Sequence, residues 1–68
     1  MRWFERHRME WIAETLRVFG FINREHLMKK FGLSMPQASH DLSLFQRRQP
    51  NAMTYNKTSK RYEANQSR

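Results

Sequence analysis

The sequence predicts a small, mainly α-helical domain of three helices followed by a β-hairpin. Apolar residues recur at helical spacing in three successive segments, and glycine or a capping residue separates these segments. After Pro50 the period of the apolar residues changes to two. A chain of 68 residues has room for one such domain. Because a domain of this size buries only about 60% of its unfolded surface, we expect a thin core of large side chains.

The first helix is predicted from Trp3 to Phe19, and Gly20 is well placed to end it. Its apolar residues fall on one stripe at helical spacing: Phe4, Trp11, Ile12, Leu16 and Phe19. We expect Trp3, Phe4 and Trp11 to belong to the core. The alternative is an apolar patch that joins two copies of the chain, and the two interpretations are compatible.

The second helix is predicted to begin after Asn23, a good N-cap, and to stop at Gly32. Its apolar side chains are Leu27, Met28 and Phe31. Only Leu33 separates Gly32 from Ser34, the next N-cap. The two helices are therefore joined by a tight turn.

The third helix is predicted from about Met35 to Arg47, with Pro36 in its first turn and Gln37 closing a capping box on Ser34. Its core-facing residues are expected to be Ala38, Leu42 and Phe45, which lie at positions i, i+4 and i+7. Small and polar side chains then point outward.

The last segment, residues 51–65, predicts a β-hairpin whose turn contains Lys57 and Lys60. The domain is expected to span residues 1–65, and residues 66–68 to form a flexible tail. The net charge is +7, and residues 47–68 hold six basic groups against Glu63 alone. Such a concentration of positive charge favours a polyanionic partner, although a solvated surface is the simpler alternative.

Two helices joined by a tight turn, the second of them polar and uncharged outside, are typical of a helix-turn-helix. A basic hairpin after them would form a wing, so the predicted fold is a winged helix-turn-helix. The side chains of the third helix would read bases in the major groove, and the hairpin would contact the backbone or minor groove. The candidate DNA-binding residues are Ser34, Pro36, Gln37, Ser39, His40, Ser43, Arg47, Lys57, Thr58, Ser59, Lys60 and Arg61.

Some of these residues have two interpretations. Gln37 could contact an adenine edge or close the capping box, and one rotamer can hardly do both. Arg47 and Arg48 could bind phosphate or simply complement the end of a helix. Asp41 would repel phosphates, so a structural ion pair or hydrogen bond is expected for it.

The motifs Phe31-Gly32-Leu33-Ser34 and Pro36-Gln37-Ala38-Ser39-His40-Asp41-Leu42, followed by Lys60-Arg61-Tyr62, carry a family resemblance. Over residues 8–62 the chain resembles the N-terminal winged helix of WYL-domain transcriptional regulators, a DeoR-like group. Several of its members control bacterial anti-phage defence operons. The resemblance implies a dimeric repressor that reads an inverted repeat. It also implies an effector-sensing WYL domain in a longer parent protein, which these 68 residues do not contain.

Other classes of function find little support. The chain has no cysteine, and His7, His26 and His40 lack the spacing of a metal site, so neither metal nor cofactor is expected. No pattern of catalytic residues indicates an enzyme, and no apolar run approaches the ~18 residues of a membrane span. A cytoplasmic, nucleoid-associated protein is expected. A protein-interaction module and a nucleic-acid binder without sequence preference remain alternatives.

Overall fold

The computed structural model describes residues 2–65 and confirms three helices with a small antiparallel sheet. The predicted tail at residues 66–68 lies outside the described residues. In chain order the elements are α1 (Arg2–Phe19), β1 (Phe21–Ile22), α2 (Arg24–Phe31), α3 (Met35–Arg48), β2 (Met53–Asn56) and β3 (Arg61–Ala64).

The turn between α2 and α3 forms as the sequence predicts. Asn23 caps α2, and Gly32 ends it in the left-handed conformation with φ 66°. The Ser34 hydroxyl accepts a hydrogen bond from the backbone N–H of Gln37, 3.3 Å away, and so caps α3. Both helices therefore start at N-cap residues, and α2 stops at a left-handed glycine.

The capping boxes differ from the prediction. The Gln37 side chain does not return to Ser34, so the predicted box at α3 is wrong. A box forms instead at α2, where the imidazole Nδ1 of His26 accepts from the backbone N–H of Asn23, and Asn23 Oδ1 accepts from the N–H of His26. Histidine replaces the usual Glu or Gln at this position, which is why the pattern does not reveal it.

The core face of α1 also departs from the prediction. Met9, Ile12 and Leu16 are buried, whereas Trp3 is 63% exposed and Phe4 is 54% exposed. Phe19, placed on the core stripe by its spacing, is exposed as well, and Trp11 is half-buried. The apolar residues of α1 cover more of the helix surface than α3 and the sheet can bury. The expectation that Trp3 and Phe4 lie in the core is therefore wrong.

The sheet has three strands in the order β1-β3-β2, all antiparallel. The β2–β3 hairpin was predicted, but β1 was not. β1 pairs Phe21 with Glu63 and Ile22 with Tyr62, so it joins the end of α1 to the middle of the sheet. The hairpin is also tied to α3, because Gln46 Nε2 donates to the backbone carbonyl of Met53 at 2.9 Å.

The core lies between the three helices and one face of the sheet. Its buried apolar side chains are Met9, Ile12, Leu16, Ile22, Leu27, Ala38, Leu42, Phe45 and Met53. The predicted inward residues of α3 are all among them, so α3 presents its opposite face outward. Among residues 2–65, no helix has the length and apolarity needed to cross a membrane.

Candidate nucleic-acid interface

The outward face of α3 carries a row of exposed side chains. Pro36, His40, Ser43 and Arg47 are exposed and recur at i, i+4, i+7 and i+11, which places them on one side of the helix. All four were predicted as site residues. The next residue, Arg48, is engaged with α1 through an ion pair to Glu5, 2.7 Å from Nη2 to Oε2. The row is therefore polar, cationic only at its C-terminal end, and open to a ligand.

An open groove runs beside this row, between α3, the start of α2 and the hairpin. Its volume is about 460 Å³. It is lined by Asn23, Arg24, Glu25, Ser39, Ser43, Tyr55, Ser59, Lys60 and Tyr62. The fold thus brings four predicted residues, Ser39, Ser43, Ser59 and Lys60, around one concave surface.

Five groove residues were not predicted as site residues: Asn23, Arg24, Glu25, Tyr55 and Tyr62. Arg24 is the first residue of α2, and it adds a cation to the lining of the groove. Tyr55 and Tyr62 are cross-strand partners whose rings meet edge to face, with centroids 4.9 Å apart. Burial raises the pKa of Tyr62, and the neighbouring Tyr55 raises it further while the Arg24 charge lowers it. The alternating pattern of the hairpin already contained both tyrosines, and this pattern was the sequence signal that could have placed them on the groove.

The tip of the hairpin is held by Asn56. Its Oδ1 accepts from the backbone N–H groups of Thr58, at 2.9 Å, and Ser59, at 3.1 Å. Lys60 closes the turn with a left-handed φ of 58°. Lys57, Thr58, Ser59 and Lys60 are all exposed. The predicted cationic tip is therefore an ordered turn that presents two lysines.

Arg61 makes specific contacts within the sheet. Its guanidinium lies 4.2 Å from the centroid of the Phe21 ring, and its Nε donates to Glu63 Oε2 at 3.1 Å. The hydrogen bond from Arg61 is the main reason that the pKa of Glu63 is lowered. Arg61 therefore contributes its charge to the wing while fastening β3 to β1.

Gln37 lies at the edge of the α3 row, and its side chain is held by a hydrogen bond to a buried residue. Its Nε2 donates to Asp41 Oδ1 at 3.0 Å, and Asp41 is fully buried. The same carboxylate receives both Nε of Arg8, at 2.5 Å, and its Nη2, at 3.2 Å. The structural role expected for Asp41 is confirmed, and its partner is a residue of α1.

Comparison with known proteins decides the family. A family model for the BrxR transcriptional regulator winged helix-turn-helix domain matches residues 5–67. The chain belongs to this family. The match includes all of α2 and α3, the hairpin and most of α1, so the predicted resemblance to winged helix regulators is confirmed.

Several relatives of this BrxR-family domain bear the name DNA-binding transcriptional repressor CapW. The chain is 41% identical over 63 residues to the protein of that name from Escherichia coli, and this alignment covers 93% of the chain. It is 36% identical over 66 residues to the protein of the same name from Pseudomonas aeruginosa, and this alignment covers 97% of the chain. These alignments cover 21% and 22% of the two relatives, so the chain spans about a fifth of their length.

Proposed function

We propose that this domain binds double-stranded DNA sequence-specifically, as the DNA-binding domain of a transcriptional repressor that acts at the nucleoid in the bacterial cytoplasm. In this proposal α3 enters the major groove and the hairpin tip follows the backbone or the minor groove. The observation that carries the proposal is the groove lined by Ser39 and Ser43 of α3, Lys60 of the hairpin and Arg24 of α2. The names of the relatives support the same assignment.

The chemistry of the surface divides into two parts. The hydroxyl, imidazole and amide groups of Ser39, His40, Ser43 and Gln37 can donate to or accept from base edges. Arg47, Lys57 and Lys60 supply the cations that neutralise phosphates, and Ser34, Thr58 and Ser59 offer hydroxyls beside them. Because phosphate contacts position a protein and base contacts specify the sequence, the first group sets operator preference.

The proposed function also includes a two-fold homodimer and a longer parent protein. A two-fold homodimer would read an inverted repeat whose half-sites lie about 34 Å, or a multiple of that distance, apart. The resemblance to WYL-domain regulators supports a further effector domain in a longer parent. Arg61 is proposed to act through the charge and shape that it gives the wing.

The test is selection of bound sequences from a random duplex library, followed by titration of the selected duplex, a scrambled duplex and an RNA hairpin at one salt concentration. Strong preference for the selected duplex supports the proposal. Equal affinity for all three would favour a non-specific nucleic-acid binder. Binding to none of them would leave the protein-interaction alternative.

Paired lysine variants sharpen this test. In Lys57→Ala/Lys60→Ala the slope of log K against log salt should fall by about 1.8, because two phosphate contacts are lost. Lys29→Ala/Lys30→Ala removes the same charge from the last turn of α2 and is the matched control. Its salt slope should stay close to that of the unmodified domain. Equal losses in both variants would mean that only net charge matters and would refute the wing assignment.

Base reading is tested at Gln37. Gln37→Ala should relax the preference at one base pair of the selected sequence, since an amide contact contributes about 1–3 kcal/mol of discrimination. An unchanged preference with a lower melting temperature would assign Gln37 to its hydrogen bond with Asp41 alone.

A further inference from the structure

Met35 is a large apolar side chain that is exposed at the start of α3. Within the described range 2–65, the large apolar side chains exposed outside α1 are Met35, at 50%, and Tyr55, at 45%. Tyr55 lines the groove between α3 and the hairpin. Because single exposed apolar residues are normal on a protein surface, the exposure of Met35 is informative only together with its position.

Met35 lies at the N-terminal end of the helix that enters the major groove in the proposed function. In a helix-turn-helix the N-terminal residues of the second helix contact base edges. Met35, Ser39 and Ser43 follow each other at i, i+4 and i+8, so Met35 lies one turn before the two serines that line the groove. The next residue, Pro36, is exposed as well and begins the outward row of α3. Met35 and Pro36 therefore place two apolar side chains at the start of a polar face.

The backbone at Met35 is held on both sides. The Ser34 hydroxyl accepts from the backbone N–H of Gln37 at 3.3 Å, and the Ser34 carbonyl accepts from the N–H of Ala38 at 3.0 Å. The ring of Pro36 fixes its own φ and restricts the backbone of the residue before it. Only the thioether side chain of Met35 is left to adjust, and an unbranched side chain adapts well to the surface that it meets.

The chemistry of this side chain limits what it can recognise. A thioether has no hydrogen to donate and is only a weak acceptor, and the ring of Pro36 offers neither group. Most base-edge groups in the major groove are hydrogen-bond donors or acceptors, whereas the C5-methyl group of thymine is apolar. Among the four bases, thymine is therefore the one that an exposed methionine favours.

We infer that Met35 contacts the C5-methyl group of one thymine per bound domain and determines the preference for thymine at that position. This inference rests on the proposed function and adds a specificity-determining residue to it. Hydrogen bonds from Ser39 or His40 do not detect a methyl group, so Met35 supplies discrimination that the polar residues of α3 lack. The contact should change affinity about fourfold, which corresponds to the ~0.8 kcal/mol of one buried methyl or methylene group.

The experiment replaces thymine by uracil, which lacks only the C5-methyl group and keeps every hydrogen-bonding group of the base. The thymines of the duplex selected from an unmodified random library are replaced one at a time, and each dissociation constant is measured at one salt concentration. Thymine is the only C5-methylated base in such a library, so it is the source of any methyl contact. One position, or its symmetry-related pair in an inverted repeat, should lose about fourfold in affinity on replacement.

Variants of the protein assign this loss to one side chain. Met35→Ser removes the thioether and should bind the thymine and uracil duplexes equally, whereas Met35→Leu stays apolar and should keep most of the difference. Val18→Ser is the matched control, because Val18 is an exposed apolar residue of α1 that does not line the groove. This control should keep the full difference between thymine and uracil. Thermal melting of each variant establishes that it is folded.

Equal affinity for thymine and uracil at every position would overturn the inference. So would a difference that persists in Met35→Ser, because another residue would then contact the methyl group, and a lower melting temperature of that variant would leave Met35 a structural role alone. In both outcomes the domain still prefers its selected duplex, so the proposed function stands. A domain without any sequence preference would overturn the proposed function and the inference together.

Discussion

The ion pair between Arg8 and Asp41 gives the sharpest test of what holds α3 in place. Asp41 is fully buried, while the Arg8 side chain is 18% exposed, so the two partners differ in their access to water. In Arg8→Ala the carboxylate stays buried with only the Gln37 amide as a side-chain partner. Loss of one partner from a buried pair costs about 3–5 kcal/mol, and the partial exposure of Arg8 favours the lower end.

The domain has little stability to lose. At about 0.05–0.15 kcal/mol per residue, a chain of 68 residues unfolds with a free energy of about 3–10 kcal/mol. Arg8→Ala should therefore remove from about a third to all of this free energy. Asp41→Ala should cost less, because the freed guanidinium can reach water. The double variant Arg8→Met/Asp41→Leu should recover much of the loss, since no charge remains buried.

Urea unfolding followed by circular dichroism measures these free energies. The control is Arg17→Ala, which breaks the exposed pair with Glu14 and should change stability by no more than about 0.5 kcal/mol. A cost of less than about 1 kcal/mol for Arg8→Ala would refute the reasoning. So would simple additivity of Arg8→Ala and Asp41→Ala in a double-mutant cycle, because partners in contact must show coupling.

The remaining predictions concern the hairpin. Lys60→Gly should be more stable than Lys60→Ala by about 1 kcal/mol, and should melt at a higher temperature, because glycine adopts the left-handed φ of 58° without strain. The two variants should lose the same affinity for DNA. Asn56→Ala removes the acceptor of two backbone N–H groups and should cost about 1–2 kcal/mol, with faster amide exchange at the tip as its signature. Because burial raises the pKa of Tyr62, the unfolded chain ionises first, and stability should fall as pH rises above 10. Tyr62→Phe should flatten that fall in alkaline urea titrations; an equally steep fall would assign it to another group.

The elements that the sequence predicts well are those with local signals. Asn23 and Gly32 fix the two ends of α2, and Ser34 fixes the start of α3, through hydrogen bonds to residues three or four positions away. β1 has no comparable signal, because two residues cannot display a period and their pairing with β3 spans some forty residues. The exposed face of α1 is hidden from sequence for a related reason. Spacing locates an apolar stripe, but only the packing decides which part of it is covered.

The candidate site divides in the same way. The α3 residues and the hairpin lysines follow from helix period and turn chemistry, so they could be predicted. Arg24 enters the groove only because three elements converge there. The ion pair of Asp41 joins residues 33 positions apart, and the sequence predicts its structural role without its partner.

The hydrogen bond from Gln37 to Asp41 limits which side chains position 37 can carry. A new side chain at position 37 must also suit a buried carboxylate, so retargeting through this position is constrained by folding. His40, Ser43 and Arg47 make no side-chain hydrogen bond to another residue of the described range 2–65, and their replacement leaves the interior intact. Under the proposed function, operator preference can therefore change through positions 40, 43 and 47 at little cost to folding, whereas a change at position 37 alters the DNA contact and the interior together.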